Sequence, residues 1–196
     1  QEPKSTQVSG IGLLAVFKTG KETKVGFGSS SNTITPQGIT EAFDKAKRNK
    51  IYDPDFYSLP EPVGKSVLEN YHDPAVMEIR DEAIVDLGWR GLKGAITEYN
   101  QKQFNKSIII GGDITILKER MAIASTKGMN DWDESTVLTA NITSMIEMEK
   151  VKGTGWNTST HISCFSPEDA GRESAESAIR TRGGDRISSG TYDVIF

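Results

Sequence analysis

The chain has 196 residues, of which 26% are charged and 36% hydrophobic, and its formal net charge is −4 at pH 7. This length allows one large domain or two small ones. The acidic balance argues against a nucleic-acid partner, which usually requires a basic face. No apolar stretch reaches the roughly 18 residues of a membrane span. The one cysteine, Cys164, excludes an internal disulfide and favours a reducing, cytoplasmic setting.

The first predicted elements are two strands joined by a turn. Residues 11–17 form an apolar β-run, and residues 23–29 alternate and return beside it. The turn between them, at residues 18–21, contains a glycine where a positive φ is needed. Gly26 and Gly28 leave one face of the second strand without side chains, so we expect another element to pack close to it or the strand to bulge.

A capped helix and a linker follow. Thr35 before Pro36 is a typical helix start, and apolar residues at helical spacing continue to about Arg48. A short basic run at its end suits the negative end of a helix better than a phosphate; its members are Lys45, Lys47, Arg48 and Lys50. The proline-containing stretch 53–62 indicates an extended linker, and we place a domain boundary at residues 60–70.

A second helix is predicted from Asp73-Pro74 to about Tyr99. Aspartate before proline is again a typical cap. Apolar residues at helical spacing give the helix one buried side: Val76, Ile79, Ala83 and Leu87. Gly88, Gly91 and Gly94 either permit a close contact with a sheet or end the helix, and we expect the helix to continue.

After Asn105 the hydrophobic period changes to two, which predicts strands. The predicted strands are residues 107–110, 113–119, 120–125, 136–147 and 154–165, with a turn at Lys127-Gly128. One face of the fourth strand is apolar, with Leu138, Ala140, Ile142, Ile146 and Met148. The other face carries Thr139, Asn141 and Thr143. This alternation is typical of an antiparallel meander, and the polar face is either a ligand surface or an ordinary solvated face.

A last helix and a final strand complete the prediction. Ser166-Pro167 begins a capped helix that shows a stripe of small residues: Ala170, Gly171, Ser174, Ala175 and Ala178. Such a stripe lets a helix lie very close to a sheet. Residues 182–184 end it, and residues 190–196 are predicted as a turn and a strand. The predicted fold is α+β, with antiparallel sheets, helices packed on one face and two small domains, truncated before a third.

The sequence offers few groups for catalysis or metal binding. His72 and His161 are far apart, and no H-E-x-x-H or Cys–His cluster exists, so an ordinary zinc site is not expected. His161 and Cys164 lie three apart in a predicted strand and would point to opposite faces, which argues against a nucleophilic pair. We expect His72 to be a surface residue near a helix start.

Acidic and glycine pairs have simple structural explanations. Asp131 and Asp133 could hold a cation, but a calcium loop needs more oxygen ligands at set spacings, so a solvated hairpin tip is the favoured interpretation. The glycine pairs Gly26-Phe27-Gly28 and Gly153-Thr154-Gly155 lack the full dinucleotide fingerprint. The predicted catalytic, cofactor-binding and metal residues within this chain are therefore none.

Several segments, taken in chain order, resemble the TldD/PmbA metallopeptidase family, once described as modulators of DNA gyrase. Their order and spacing carry the resemblance. The segments are the glycine-containing strands 10–17 and 25–31, the capped helix 35–47, the D-P to L-P connector 53–60, the strand and turn 121–128 (M-A-I-A-S-T-K-G), the helix 168–178 and the strand 189–196.

The resemblance implies a domain division. Residues 1–62 would be the end of the family's first domain, 63–186 its middle domain and 187–196 the first strand of a last domain. Family peptidases hold zinc through an H-E-x-x-x-H motif and a later cysteine in that last domain. Neither occurs here, so zinc is expected only in the full-length protein or a partner subunit. The ending, residues 190–194, resembles the PmbA-like branch, which lacks the zinc ligands.

The function that the resemblance implies is the structural and substrate-chamber portion of a TldD/PmbA-type peptidase complex, which degrades or matures peptides. The implied partners are another family subunit, in a homo- or heterodimer, and a peptide substrate that adds to a sheet edge. The alternative is a non-enzymatic peptide-binding or assembly module that uses the threonine and asparagine face. Zinc content and peptidase activity of the full-length protein distinguish the two.

Overall fold

The fold is seen in a computed structural model that describes residues 4–20, 22–31, 34–64, 68–102 and 106–195. The chain separates into two compact units, Gln1–Glu61 and Pro62–Phe196. Within the described residues the strands form two three-stranded antiparallel sheets, one in each unit. The predicted α+β class, with antiparallel sheets and packed helices, is confirmed.

The first unit is a hairpin covered by one helix. Its elements are β1 (Gly10–Thr19), β2 (Glu22–Ser31), α1 (Pro36–Arg48) and β3 (Ile51–Tyr52), with the sheet order β1–β2–β3. The hairpin register places Leu14 opposite Phe27. The Thr35 hydroxyl caps α1 by accepting a hydrogen bond from the Gly38 N–H at 3.3 Å, and Pro36 occupies the first helical position. The predicted hairpin and helix are confirmed.

Helix α1 lies with its backbone directly against β2. A Cβ atom placed on Gly26 would lie 2.0 Å from the Ala46 carbonyl oxygen, and one on Gly28 would lie 1.9 Å from the Ala42 carbonyl oxygen. Ala42 and Ala46 are themselves fully buried. The prediction that another element packs close to this glycine face is confirmed, and the glycines exist to seat a helix.

The second unit is a meander with helices on one face. Its elements are α2 (Pro74–Met77), α3 (Asp81–Gln101), β4 (Ile108–Ala124), β5 (Asn130–Ile146), β6 (Val151–Ser159) and α4 (Pro167–Arg180). The sheet order is β4–β5–β6, and the ladder of β4 with β5 is continuous from Ile108 opposite Ile146 to Ala124 opposite Asn130. The turn predicted at Lys127-Gly128 is confirmed, and Gly128 has a φ of +92° in it.

In the second unit, as in the first, two strand glycines lie directly against a helix backbone. A Cβ atom on Gly153 would lie 2.2 Å from the Ala178 nitrogen, and one on Gly155 would lie 2.1 Å from the Ala170 carbonyl oxygen. The predicted small-residue stripe of α4 is therefore confirmed, and its members Ala170, Ser174 and Ala178 meet the glycines of β6. Its members are all buried: Ala170, Gly171, Ser174, Ala175 and Ala178.

Helices α3 and α4 also meet at glycines. A Cβ atom on Gly94 would lie 2.3 Å from the Glu168 carbonyl oxygen, and one on Gly171 would lie 2.0 Å from the Gly91 carbonyl oxygen. Gly91 and Gly94 thus permit close contact, as predicted, but their principal partner is a helix. Arg90 of α3 binds the Glu168 carboxylate with two hydrogen bonds, the Nη2–Oε2 distance being 2.9 Å, which favours the same approach.

The core of the second unit fills the space between the sheet and these helices. Leu138, Ala140 and Ile146 are fully buried, and Ile142 nearly so, so the predicted apolar face of the fourth strand is confirmed for them. The prediction for Met148 is wrong. Its side chain is 78% exposed, because the strand ends at Ile146 and a 3₁₀ turn follows.

Three element predictions in the second unit are wrong. The helix predicted over 74–99 is interrupted between Met77 and Asp81, where α3 starts its own first turn with acidic residues that suit a helix N-terminus. The strands predicted at 107–110, 113–119 and 120–125 are one strand, because β5 pairs with the whole of it. The strand predicted over 154–165 ends at Ser159, where the chain turns to meet Asp73.

The predicted final strand is also not formed. Residues 187–195 contain no strand in the structure, because a strand needs a neighbour for its backbone groups and the described residues provide none there. The Tyr192 hydroxyl instead donates to the Ser188 carbonyl at 2.6 Å. In the described part of the chain, no helix has both the length and the hydropathy that crossing a bilayer requires.

Replacing Gly155 by alanine is expected to lower the free energy of unfolding by at least about 2 kcal/mol. The new Cβ would lie 2.1 Å from the Ala170 carbonyl oxygen, and a backbone oxygen cannot rotate away as a side chain can. Urea denaturation followed by circular dichroism measures the change.

Gly111→Ala is the matched control, since Gly111 also lies in a strand and nothing would come within 4 Å of its Cβ. We expect its free energy of unfolding to stay within about 1 kcal/mol of the native value. Equal losses for the two variants would contradict the close seat of α4 on β6.

Candidate functional site

The candidate site is the face of the second sheet that points away from α4. On this outer face, the register places Asp113 of β4 opposite Asn141 of β5, and Asn141 opposite Trp156 of β6. Directly paired residues of an antiparallel sheet project to the same side. A carboxyl group, an amide and an indole therefore stand in one line across the three strands, here called the central row.

The side chains of the central row are open to solvent. Asp113 and Asn141 are exposed, and Trp156 is 62% exposed. The Thr115 hydroxyl donates to Asp113 Oδ2 at 3.2 Å. Within the described residues, neither the Asn141 amide nor the Trp156 indole N–H has a hydrogen-bond partner, and no cationic side chain pairs with Asp113. These groups are available to a ligand.

Threonine pairs flank the central row on both sides. The Thr139 and Thr158 hydroxyl oxygens are 3.4 Å apart, and those of Thr143 and Thr154 are 3.3 Å apart. The Thr158 hydroxyl also donates to the Leu138 carbonyl at 3.0 Å. Such cross-strand hydroxyl pairs stabilise the sheet. They place polar side chains on both sides of the central row.

The strand that carries Trp156 is fixed from behind. The Trp156 backbone N–H donates to Glu173 Oε2 of α4 at 3.2 Å, and the Ser166 N–H donates to Asn157 Oδ1 at 3.1 Å. The first of these bonds occupies one backbone N–H on the free edge of β6, an edge that otherwise attracts further strands. The outer face therefore presents a rigid platform with its indole on a braced strand.

Both histidines lie in a separate polar cluster around Asp73. The buried Asp73 carboxylate accepts hydrogen bonds from the Ala75 N–H at 2.8 Å and the Ile162 N–H at 2.9 Å. The hydrogen bond from Ile162 is the largest influence that lowers the pKa of Asp73 below its ordinary value of 3.8; burial opposes this, and His161 and His72 add a smaller lowering. Asp73 thus fastens the start of α2 to the turn after β6.

Threonine hydroxyls extend this cluster. Thr136 Oγ1 accepts from the Asp73 N–H at 2.9 Å and donates to the Thr160 carbonyl at 2.8 Å. Thr160 Oγ1 donates to the Asn70 carbonyl at 2.6 Å and lies 3.0 Å from His161 Nδ1. Since that hydroxyl hydrogen is committed to Asn70, His161 is the donor to Thr160. The cluster therefore stabilises the fold by joining these segments of the chain.

The cysteine, His72 and the acidic pair have further partners of their own. His161 precedes a 3₁₀ turn rather than lying in a strand, and Cys164 is exposed with its Sγ 3.8 Å from Ser163 Oγ. His72 Nε2 lies 3.7 Å from Glu134 Oε2. Asp133 Oδ1 accepts from the Tyr71 hydroxyl at 2.9 Å, so it serves the fold.

Among the residues that the structure describes, no group of three or more His, Cys, Asp or Glu side chains is arranged to hold a metal ion. Two open hollows are lined mainly by apolar residues. One, of about 430 Å³, lies in the first unit and is lined by Leu14, Val25, Phe27, Asn49, Ile51 and Asp53. The other, of about 420 Å³, lies in the second unit beside α3.

Sequence reasoning identified part of the outer face and missed the rest. It selected Thr139, Asn141 and Thr143 as a polar face, and the structure places them there. It did not select Asp113 or Trp156. Both share the alternating pattern of their strands, but only the register shows that they align with Asn141.

The fold resembles two solved crystal structures. One is a proposed modulator of a DNA gyrase from Thermotoga maritima, with 15% identity and a TM-score of 0.61, covering 93% of this chain and 44% of that one. The other is a proposed modulator of DNA gyrase from Bacteroides thetaiotaomicron, with 13% identity and a TM-score of 0.66, covering 94% of this chain and 46% of that one.

At these identities the likeness concerns the fold alone, and the chain spans less than half the length of either structure. No protein-family model matches the chain, and no curated protein gives a significant match. The fold and site together define a two-unit α+β scaffold with an exposed polar platform, of the architecture seen in these two proteins.

Asp73→Asn is expected to lower the free energy of unfolding at pH 7 by about 1–3 kcal/mol, because an amide can accept from only one of the two backbone N–H groups. The folded pKa of Asp73 is depressed below 3.8. The stability that the Asp73 carboxylate gives to the fold is therefore complete at pH values above 3.8. It is lost as the pH falls through the lower pKa of the folded state. Denaturation series at several pH values should show the difference between variant and native chain narrowing in acid.

The exposed Asp193 supplies the control, as Asp193→Asn. This variant should match the native chain at pH 7. A constant deficit of Asp73→Asn from pH 7 down to the acid end of the series would mean that the carboxylate charge has no part in the fastening.

Proposed function

We propose that this chain is the structural and substrate-chamber portion of a TldD/PmbA-type peptidase complex. The observation that carries the proposal is the likeness of fold along 93% and 94% of the chain to two proposed gyrase modulators. The ordered segments that resemble the family, such as the strand and turn at residues 121–128, support it independently. The scaffold character of the described residues agrees with this role.

The proposal includes a domain assignment and a partner. Residues 1–62 are the end of a first domain, residues 63–186 a middle domain and residues 187–196 the entry to a last one. Another subunit of the same family completes the complex, and zinc belongs to the full-length protein or to that subunit. The reaction then takes place outside the described residues, while this portion binds and orients an unfolded peptide.

A second function is also supported by one observation. The central row leaves an amide and an indole without partners among the described residues, which suits a non-enzymatic peptide-binding or assembly module equally well. The two functions differ in whether a zinc peptidase accompanies the chain.

Isolation of the native complex tests this difference. A tag on the chromosomal gene, followed by mild purification, should recover a second family subunit, a stoichiometric zinc ion by mass spectrometry of the metal, and cleavage of an unstructured peptide. The 196-residue chain alone should show neither zinc nor turnover.

Turnover by the isolated chain would contradict the scaffold role. A native complex that contains no zinc peptidase would reject the peptidase proposal in favour of the binding module. A chelator is the control for the native complex, since removal of zinc should stop cleavage without dissociating the subunits.

Hydrogen exchange tests the chamber role directly. An unstructured fifteen-residue peptide, added to the chain in excess, is expected to slow amide exchange within residues 107–165, because bound peptide shields strand edges and the outer face. Exchange in residues 10–31 of the first unit serves as the internal reference. Unchanged protection throughout 107–165 would remove the substrate-chamber role.

A further inference from the structure

The central row combines a negative charge with an aromatic surface. Asp113 has no cationic partner within the described residues, and its one side-chain hydrogen bond there comes from Thr115. Trp156 is 62% exposed and stands two strands away in the same row. The chain as a whole carries a net charge of −4. A ligand that satisfies this row needs a cationic group at one end and an apolar surface at the other.

The distance between the two ends restricts the ligand further. Neighbouring strands lie about 4.8 Å apart, so two strand spacings separate positions 113 and 156 by about 9.6 Å. A polyproline II helix rises about 3.1 Å per residue with three residues per turn, which places residues i and i+3 on one side about 9.3 Å apart. In a β-strand, by contrast, residues i and i+3 face opposite sides.

We propose that the outer face binds a proline-containing peptide in the polyproline II conformation, laid across the strands along the central row. An arginine or lysine side chain of the peptide meets the Asp113 carboxylate. A proline three residues further along packs on the face of the Trp156 indole. The peptide runs at right angles to the strands, so this mode differs from addition of a strand to the sheet edge.

The middle of the row suits the peptide backbone. A polyproline II backbone makes no internal hydrogen bonds, so its carbonyl groups and any free N–H groups need partners. The Asn141 amide offers both donors and an acceptor. The flanking threonine pairs border the path, and Gly111 at its edge has no side chain, so the peptide can lie close to the sheet.

This inference deepens the proposed function by naming the class of peptide, and it rests on that function only for its biological setting. The binding itself requires neither zinc nor a second subunit. Failure of the peptidase proposal and failure of this one are therefore separate results.

The test is a nuclear magnetic resonance titration of the ¹⁵N-labelled 196-residue chain with two peptides of equal composition. Both are acetylated and amidated glutamine-rich octapeptides with one arginine and one proline. In the first, the proline follows three residues after the arginine; in the second, it follows two residues after. The chain's tryptophans are Trp89, Trp132 and Trp156, and loss of one signal in Trp156→Ala identifies the indole N–H of Trp156.

The expected result is a saturable shift of the Trp156 indole signal with the first peptide, and at least about threefold weaker binding of the second. Asp113→Asn should weaken binding of the first peptide about fivefold, the size expected for one exposed ion pair. Raising the salt concentration should weaken it similarly in the native chain and little in Asp113→Asn. Trp132→Ala, which removes a 71% exposed tryptophan elsewhere, should leave binding unchanged.

Three outcomes would overturn the inference. They are equal binding of the two peptides, an unchanged affinity in Asp113→Asn, and the absence of any shift of the Trp156 indole signal at millimolar peptide. Asp113 is exposed, so its variant is expected to fold, and a native-like spectrum of Asp113→Asn confirms that its affinity can be compared even if Trp156→Ala is disrupted.

Discussion

Both units of this protein are built around the contact of a helix backbone with a strand face where glycines leave no side chains. In the first unit α1 lies on Gly26 and Gly28, and in the second α4 lies on Gly153 and Gly155, with hypothetical Cβ atoms only 1.9 to 2.2 Å from helix backbone atoms. Each strand has its glycines on the helix side, so the residues between and beside them project outward. The close seat of α4 therefore also places Trp156 on the open face.

Hydrogen bonds and ion pairs then hold the loops around these helix–strand contacts. Asp73 binds two backbone N–H groups, and the Glu149 carboxylate, whose pKa is lowered to about 2 chiefly by Arg182 and then by Lys106, joins three separate segments. Buried Ser144 and Ser174 share a hydrogen bond of 2.7 Å between β5 and α4. These carboxylate and hydroxyl groups thus stabilise the fold through their hydrogen bonds.

On the open face the same architecture positions the side chains of the central row. A sheet held from behind keeps the backbone positions of these side chains at fixed spacings, so the proposed ligand would order side chains but little backbone. The central row offers charge, amide and indole at intervals of one strand. This arrangement is compatible with both of the proposed functions.

The sequence by itself determined the local elements and which side of each is buried. Caps at Thr35 and Asp73, the turn at Gly128, and the small-residue stripe of α4 depend on neighbouring residues, so they could be predicted. The continuity of β4, the end of β6 and the alignment of Asp113 with Trp156 could not. Strand length and register are set by partners distant in the chain. A segment extends as a strand only as far as a neighbouring strand is present to pair with its backbone N–H and C=O groups.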